Sequence, residues 1–208
     1  MSSTANKERG LFIVISAPSG AGKTSICRKL LEKWPNLKFS VSYTTRAPRP
    51  DEKDGESYHF ISEAVFREKI AQNEFVEWVE NYGNLYGTSR ITMEFFLAKG
   101  CDLLIDVEPR GAKSLKKNFP GGIFVYILPP SWEELEKRLV MRGFEREEAL
   151  RERLQKAQKE CREVCWYDYV IFNDRLSEAV DQLGAVYVAE KARRERLQAH
   201  IDDLFSCR

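Results

Sequence analysis

The stretch Ser16-Ala17-Pro18-Ser19-Gly20-Ala21-Gly22-Lys23-Thr24 sets a lysine and a hydroxyl directly after a run of small residues. Small residues let consecutive backbone N–H groups curl around phosphate oxygens, and a following helix N-terminus adds positive dipole. Lys23 then supplies a point charge for β and γ phosphates, and the Thr24 hydroxyl is a candidate Mg²⁺ ligand. Residues 11–15 before it are continuously apolar and read as a buried parallel strand. After it, Ile26, Leu30, Leu31 and Trp34 recur at helical spacing. Strand, Gly-rich turn, Gly-Lys-Thr and helix together form the context of a P-loop. The motif asks for Gly at its first site, where this chain has Ala17, and a methyl is tolerable there at negative φ. A Gly-rich turn with no ligand is the competing interpretation, and it leaves the strand and helix on either side unexplained.

A second set of chemistry-bearing residues follows. Residues 43–55 hold two prolines, a glycine and no apolar periodicity, so they read as a loop. Arg46 and Arg49 lie in it beside Thr44 and Thr45, and guanidinium forks match phosphate oxygens bidentately. Loop arginines are usually just solvated; next to a P-loop they suggest a second phosphate-bearing substrate. Residues 40–88 read as a small β-rich lobe whose polar candidates are Ser42, Tyr58, Glu77, Tyr86 and Thr88. Asp106 ends the apolar strand 101–106, at the crevice edge where such folds place a Mg²⁺-ordering acid. Ser131 and Glu134 fit a capping box for a helix on which Arg138 and Arg142 lie one turn apart. Residues 145–164 form a second charged helix that includes Arg153. Most of its charges fit a solvated face with i,i+4 pairs. The functional reading is a lid, hinged near Gly143, with a few arginines turned toward phosphates.

These groups need a scaffold, and the apolar pattern supplies one. Five apolar strands alternate with helices, which implies a parallel sheet with helices on both faces. Helix 89–99 is expected to bury Ile91, Phe95 and Leu97, and 176–205 reads as one long helix, strongly charged beyond 190. The 208 residues suffice for one α/β domain with smaller inserted lobes. Charged residues make up 31% and the formal net charge is +1, which argues against disorder and against a global polyanion-binding surface. No run reaches membrane-span length, and the first ten residues lack a signal-peptide core. Five scattered cysteines fit thiols in a reducing cytosol better than a disulfide or zinc framework.

With these residues in place, the chain resembles the guanylate kinase family, P-loop enzymes that move phosphate from ATP to GMP. The most specific match is Ser40-Val41-Ser42-Tyr43-Thr44-Thr45-Arg46-Ala47-Pro48-Arg49, which fits S-x-S-x-T-T-R-x-P-R. Asp54-Gly55-Glu56-Ser57-Tyr58-His59-Phe60, Phe75-Val76-Glu77-Trp78, Tyr86-Gly87-Thr88, Arg138-Leu139 with Arg142-Gly143, and Phe172-Asn173-Asp174 also match. The Ala17 opening is familiar from bacterial members. The resemblance implies a P-loop NTPase fold with a five-stranded parallel sheet flanked by helices. It implies a core of 10–38, 89–130 and 167–190, a GMP-binding lobe at 39–88 and a helical lid at 131–166. A lead-in at 1–9 and a charged helical extension at 191–208 flank it.

The same resemblance implies residue roles. Ala17, Pro18, Ser19, Gly20, Ala21, Gly22, Lys23, Thr24 and Asn173 are implied to hold ATP, with Asn173 against the adenine. Arg46, Arg49, Tyr58 and Tyr86 are implied to hold the GMP phosphate, and Ser42, Glu77 and Thr88 to read the guanine. Lys23, Arg138, Arg142 and Arg153 are implied to be catalytic, and Thr24 and Asp106 to hold Mg²⁺. The family pattern D-x-D-x-Q-G reads here Asp106-Val107-Glu108-Pro109-Arg110-Gly111: Glu108 keeps an acid facing the guanine, while Arg110 changes a charge. Substrates ATP and GMP or dGMP, a cytoplasmic location, and neither nucleic-acid nor membrane partners follow as expectations. A non-catalytic guanylate-kinase-like module and a kinase of this fold for another phosphorylated acceptor are the alternatives. The intact Gly22-Lys23-Thr24 and the arginines oppose the first; Ser42 and Glu77 oppose the second.

Overall fold

The computed structural model describes residues 9–141 and 147–206. The central sheet is parallel, with β1 (Phe12–Ser16), β2 (Leu37–Phe39), β7 (Asp102–Asp106), β8 (Ile123–Leu128) and β9 (Tyr169–Phe172) in the order β2-β7-β1-β8-β9. Its inner strands β1, β7 and β8 are almost wholly buried because both faces are covered, whereas the edge strands β2 and β9 are only partly so. Along β1 and its flanks, Leu11, Ile13 and Ile15 join the cluster under α1 (Lys23–Lys33) and α7 (Leu176–Lys191), while Phe12 and Val14 face Met93, Leu97 and Leu115. Those last three come from α3 (Arg90–Ala98) and α4 (Pro109–Asn118). The expected five-stranded α/β sheet is therefore the one observed.

A second sheet pairs β3 (Tyr43–Thr44), β4 (His59–Phe60), β5 (Phe75–Asn81) and β6 (Asn84–Ser89) in the order β4-β3-β6-β5. With α2 (Glu63–Ala71) it encloses its own small core of Phe66, Phe75 and Leu85. The loop expected from residue 43 thus begins only after Thr44, since Tyr43 and Thr44 pair with both neighbours. Two helices, α5 (Trp132–Met141) and α6 (Glu147–Cys161), pack through Leu135, Leu139 and Ala157, and a short 3₁₀ turn, Arg162–Trp166, leads back to β9.

Three helix expectations are corrected. Ile91 and Phe95 are 65% and 52% exposed. The buried stripe of α3 is Met93 and Leu97, one turn apart, which puts Ile91 and Phe95 on the opposite side. The expected helix 176–205 is broken: α7 stops at Lys191, and α8 (Arg194–Ser206) starts after the break. At that break Arg193 pairs with the buried Glu190 at 3.0 Å, and Glu190 accepts from the Tyr169 hydroxyl at 2.5 Å. Ser131 does cap α5, accepting from the Glu134 N–H at 3.2 Å, but the Glu134 carboxylate accepts from Arg138 instead of closing a box. Among the described residues no helix is long and apolar enough to cross a membrane.

Candidate active site

The P-loop joins β1 to α1 at the carboxyl edge of the sheet. Gly20 and Gly22 have φ of 94° and 92°, whereas Ala17 is not in the left-handed region, so its methyl costs nothing. Gly22 must also lack a side chain for a second reason: a Cβ there would lie 2.2 Å from Asn173 Nδ2. That nitrogen donates to the Ala21 carbonyl at 2.7 Å, so Asn173, buried at the end of β9, braces the loop from behind. Asn173, implied by the resemblance to lie against adenine, thus spends one of its two amide N–H donors on the loop.

Two arginines converge on the same loop from α5 and α6. Arg138 Nη2 donates to the Asn173 carbonyl at 3.1 Å and Nη1 to the Ala21 carbonyl at 3.5 Å, while Glu134 fixes its Nε at 2.7 Å. Arg153 Nη1 donates to Ser19 Oγ at 2.9 Å. Arg142 and Gly143 lie outside the described residues. Lys23 forms an ion pair with Asp106 and donates to the Val107 carbonyl at 3.4 Å. Burial alone would favour the neutral amine, but Asp106 and then Glu108 outweigh it and raise the Lys23 pKa. The loop thus carries a firmly cationic lysine, with guanidinium groups on its far side. Thr24 lies exposed in the first turn of α1.

The β-rich lobe holds a different kind of site. Glu77 on β5 and Thr88 on β6 are register partners, both buried, and the Thr88 hydroxyl donates to Glu77 Oε1 at 2.6 Å. Glu77 Oε2 is buried and has no hydrogen-bond partner. Burial pushes the carboxyl up to about 7 despite the Thr88 hydrogen bonds. A buried carboxylate oxygen left unpaired is costly, so a ligand bearing N–H donors would relieve it. The oxygen packs against the bare Cα of Gly111, in the first turn of α4: a Cβ there would lie 2.4 Å from it. Ser42 is also buried.

Around the mouth of this lobe stand the anion-binding candidates. Arg46 is 5.6 Å over the Tyr58 ring, and Tyr58 and Tyr86 meet edge-on at 5.9 Å. Burial pushes the Tyr58 hydroxyl up to about 12, keeping it a donor at neutral pH. Glu52 grips Arg46 with both oxygens, at 2.8 and 2.9 Å, and accepts from the Arg49 backbone N–H at 2.8 Å. The Arg49 side chain itself is exposed, at 69%. Glu52 was not singled out from the sequence; an acid three and six residues beyond two arginines in one loop was the signal. Glu108, expected near the acceptor base, stands at the N-cap position of α4 without a side-chain capping bond and turns its carboxylate to Lys156 of α6 at 3.5 Å. A cleft of about 720 Å³ separates the β5–β6 hairpin, the start of α4 and helix α6.

Residues 9–190 match the family model described as guanylate kinase. The chain is 54% identical over 201 residues to the guanylate kinase of Syntrophus aciditrophicus (strain SB), covering 97% of each. It is 46% identical over 200 residues to that of Geobacter sulfurreducens, covering 96% of this chain and 98% of the relative. A crystal structure of guanylate kinase from Anaplasma phagocytophilum superimposes with a TM-score of 0.76 at 32% identity, covering 94% and 97% of the two chains.

Proposed function

The chain belongs to the guanylate kinase family, and from that premise we propose that its P-loop and its β-rich lobe form the two halves of one phosphoryl-transfer site. The γ-phosphoryl of ATP passes to the phosphate of GMP, giving ADP and GDP. dGMP presents the same base and phosphate and is proposed as a second acceptor. The site acts in the cytoplasm, where both nucleotides are at hand.

One observation carries the acceptor assignment: the buried Glu77 carboxylate with an unpaired oxygen. An ionised carboxylate only accepts hydrogen bonds. Guanine offers a ring N–H and an amino group side by side, whereas adenine places an acceptor at the ring position. Ser42 and Thr88 complete the base pocket. Arg46, Arg49, Tyr58 and Tyr86 hold the acceptor phosphate, Arg46 and Arg49 exchanging part of their hold on Glu52 for it.

On the donor side the loop from Ala17 to Thr24 and Lys23 cradle the triphosphate, and Lys23 shares its charge between phosphate and Asp106. Thr24 and Asp106 are hard oxygen donors suited to Mg²⁺, which neutralises phosphate charge when bound. Such an ion keeps few protein ligands and takes phosphate oxygens and water for the rest. An oxygen of the acceptor phosphate attacks the γ phosphorus as the bond to the ADP oxygen breaks. The attacking group is already an anion, so no strong base is needed; alignment and neutralisation by Lys23, Arg138, Arg142 and Arg153 lower the barrier.

The Glu77 reading is tested by calorimetry of GMP binding in buffers of different ionisation enthalpy. A carboxyl titrating at about 7 is half protonated at pH 7, and the base selects its ionised form. Binding at pH 7 is therefore expected to release about half a proton per GMP, and affinity is expected to fall as pH drops below 7. The phosphate of GMP titrates near 6, so Glu77→Gln, which keeps the phosphate contribution and loses the other, separates the two. Equal proton release from both proteins would remove the assignment. Gly111→Ala is a second check. Its new methyl turns Glu77 out of place, raising KM for GMP about 10- to 100-fold while KM for ATP stays within about twofold. An unchanged KM for GMP would show that Glu77 is not held against Gly111 during turnover.

A further inference from the structure

Helix α6 does more than carry Arg153. Arg153 and Lys156 are three residues apart and so share a face, and that face rests on the tip of the β5–β6 hairpin. The Tyr82 ring lies 5.1 Å from the Arg153 guanidinium and 4.5 Å from Lys156 Nζ. Lys156 also donates to Asn81 Oδ1 at 2.6 Å, and it stands 3.5 Å from both Glu108 and Glu160. One ammonium therefore touches the acceptor lobe through Asn81 and Tyr82, the sheet core through Glu108, and its own helix through Glu160. The hairpin presents these groups from a fixed tip: Tyr82 and Gly83 have φ of 50° and 72°, the pair of positive values that a tight two-residue hairpin turn requires. The far end of the same helix face is Arg153, seated on Ser19 of the P-loop.

We propose that Lys156 is a positioning residue that locks the acceptor lobe, through Asn81 and Tyr82, to the helix that seats Arg153 on the P-loop. The inference rests on the proposed division into donor and acceptor halves. Filling the lobe with GMP moves β5 and β6 as one hairpin, because Glu77 and the tip belong to the same strand. Through Lys156 that displacement is passed to α6 and to Arg153, so occupancy of the acceptor half is felt at the triphosphate. The role assigned to Lys156 is contact with protein groups, namely Asn81, Tyr82, Glu108 and Glu160. Lys156 acts through Arg153, and Glu108 serves as its anchor on the core.

The test is the affinity of the full chain for a non-hydrolysable ATP analogue with Mg²⁺, measured with and without saturating GMP. Wild type is expected to gain at least about fivefold from GMP, the lower end of ordinary site–site coupling. Lys156→Met is expected to bring that gain to nearly one, with GMP alone bound within about twofold of wild type. Lys156→Arg, which keeps charge and reach, restores most of the gain. Asn81→Ala, at the half-buried end of β5, reduces it, and Asn81→Ala with Lys156→Met does no worse than Lys156→Met alone; this variant keeps the test open if Lys156→Met folds poorly. A wild-type gain in both single variants overturns the proposal, as does a wild type with no gain. A loss of GMP binding alone in Lys156→Met also overturns it, because it makes Lys156 a substrate ligand. A wild type that binds the analogue but no GMP refutes the functional reading instead.

Discussion

Arg138→Ala is expected to lower kcat about 10³-fold, the scale of an arginine that neutralises a transferring phosphoryl group, while GMP affinity stays within about twofold. The geometry supports this split. Arg138 reaches the P-loop at Ala21 and Asn173 and is oriented by Glu134; none of its contacts is in the acceptor lobe. The substitution also strips hydrogen bonds from two carbonyls, which costs stability on the order of 1 to 2 kcal/mol, so rates belong well below the unfolding transition. Arg138→Lys separates charge from shape. Lysine restores a positive charge without the fork that spans two carbonyls, and recovery of a small part of the lost rate is expected. Equal losses in kcat and in GMP affinity would contradict the donor-side assignment.

Glu77→Gln is expected to cut kcat/KM for GMP on the order of 10³-fold, because a site built to hydrogen-bond its substrate loses most when a donor faces a donor. Gln can keep the Thr88 contact through its carbonyl, but its amide nitrogen then occupies the position of the unpaired Oε2 and presents N–H groups to the N–H groups of guanine. Stability is expected to move the other way. The Glu77 pKa rises from 4.5 to about 7 on folding, so the folded state holds the proton more tightly than the unfolded chain does. The penalty for ionising it is absent below 4.5, grows as pH rises through that window and is complete above 7. Removing the carboxylate therefore stabilises the ligand-free protein at pH 8, by up to about 3 kcal/mol, and much less at pH 5. Thermal melts at the two values check this. A variant less stable at pH 8 than at pH 5, relative to wild type, would mean that Glu77 is not a strained group kept for its ligand.

Much of the fold and part of the site are legible in the sequence. The P-loop is, because its motif is contiguous and its strand and helix are the immediate neighbours. The inner strands β1, β7 and β8 are, because burial on both faces leaves a nearly unbroken apolar run, while the edge strand β2 is legible as alternation. Glu77, Ser42 and Thr88 could be picked out as polar residues in a β-rich stretch, but the unpaired oxygen depends on how β5, β6 and α4 meet. Gly111 is 34 residues from Glu77 along the chain, yet it is the residue that decides whether the carboxylate fits. Lys156 and Asn81 are separated by 75 residues, and no local pattern links them. Helix faces failed where apolar residues surround the helix: with Ile91, Met93, Phe95, Phe96 and Leu97 all in α3, periodicity alone did not choose the buried side. The break between α7 and α8 was hidden because helix-forming residues continue through it.

The central claim is that a P-loop donor site faces an acceptor site made for guanine. Its most direct test is the release of ADP by the full chain with ATP, Mg²⁺ and each of GMP, dGMP, AMP, CMP and UMP in turn. ADP is expected with GMP and dGMP, with kcat/KM for GMP roughly 10⁴-fold above that for AMP and little release without an acceptor. ADP release with AMP but not with GMP would contradict the account.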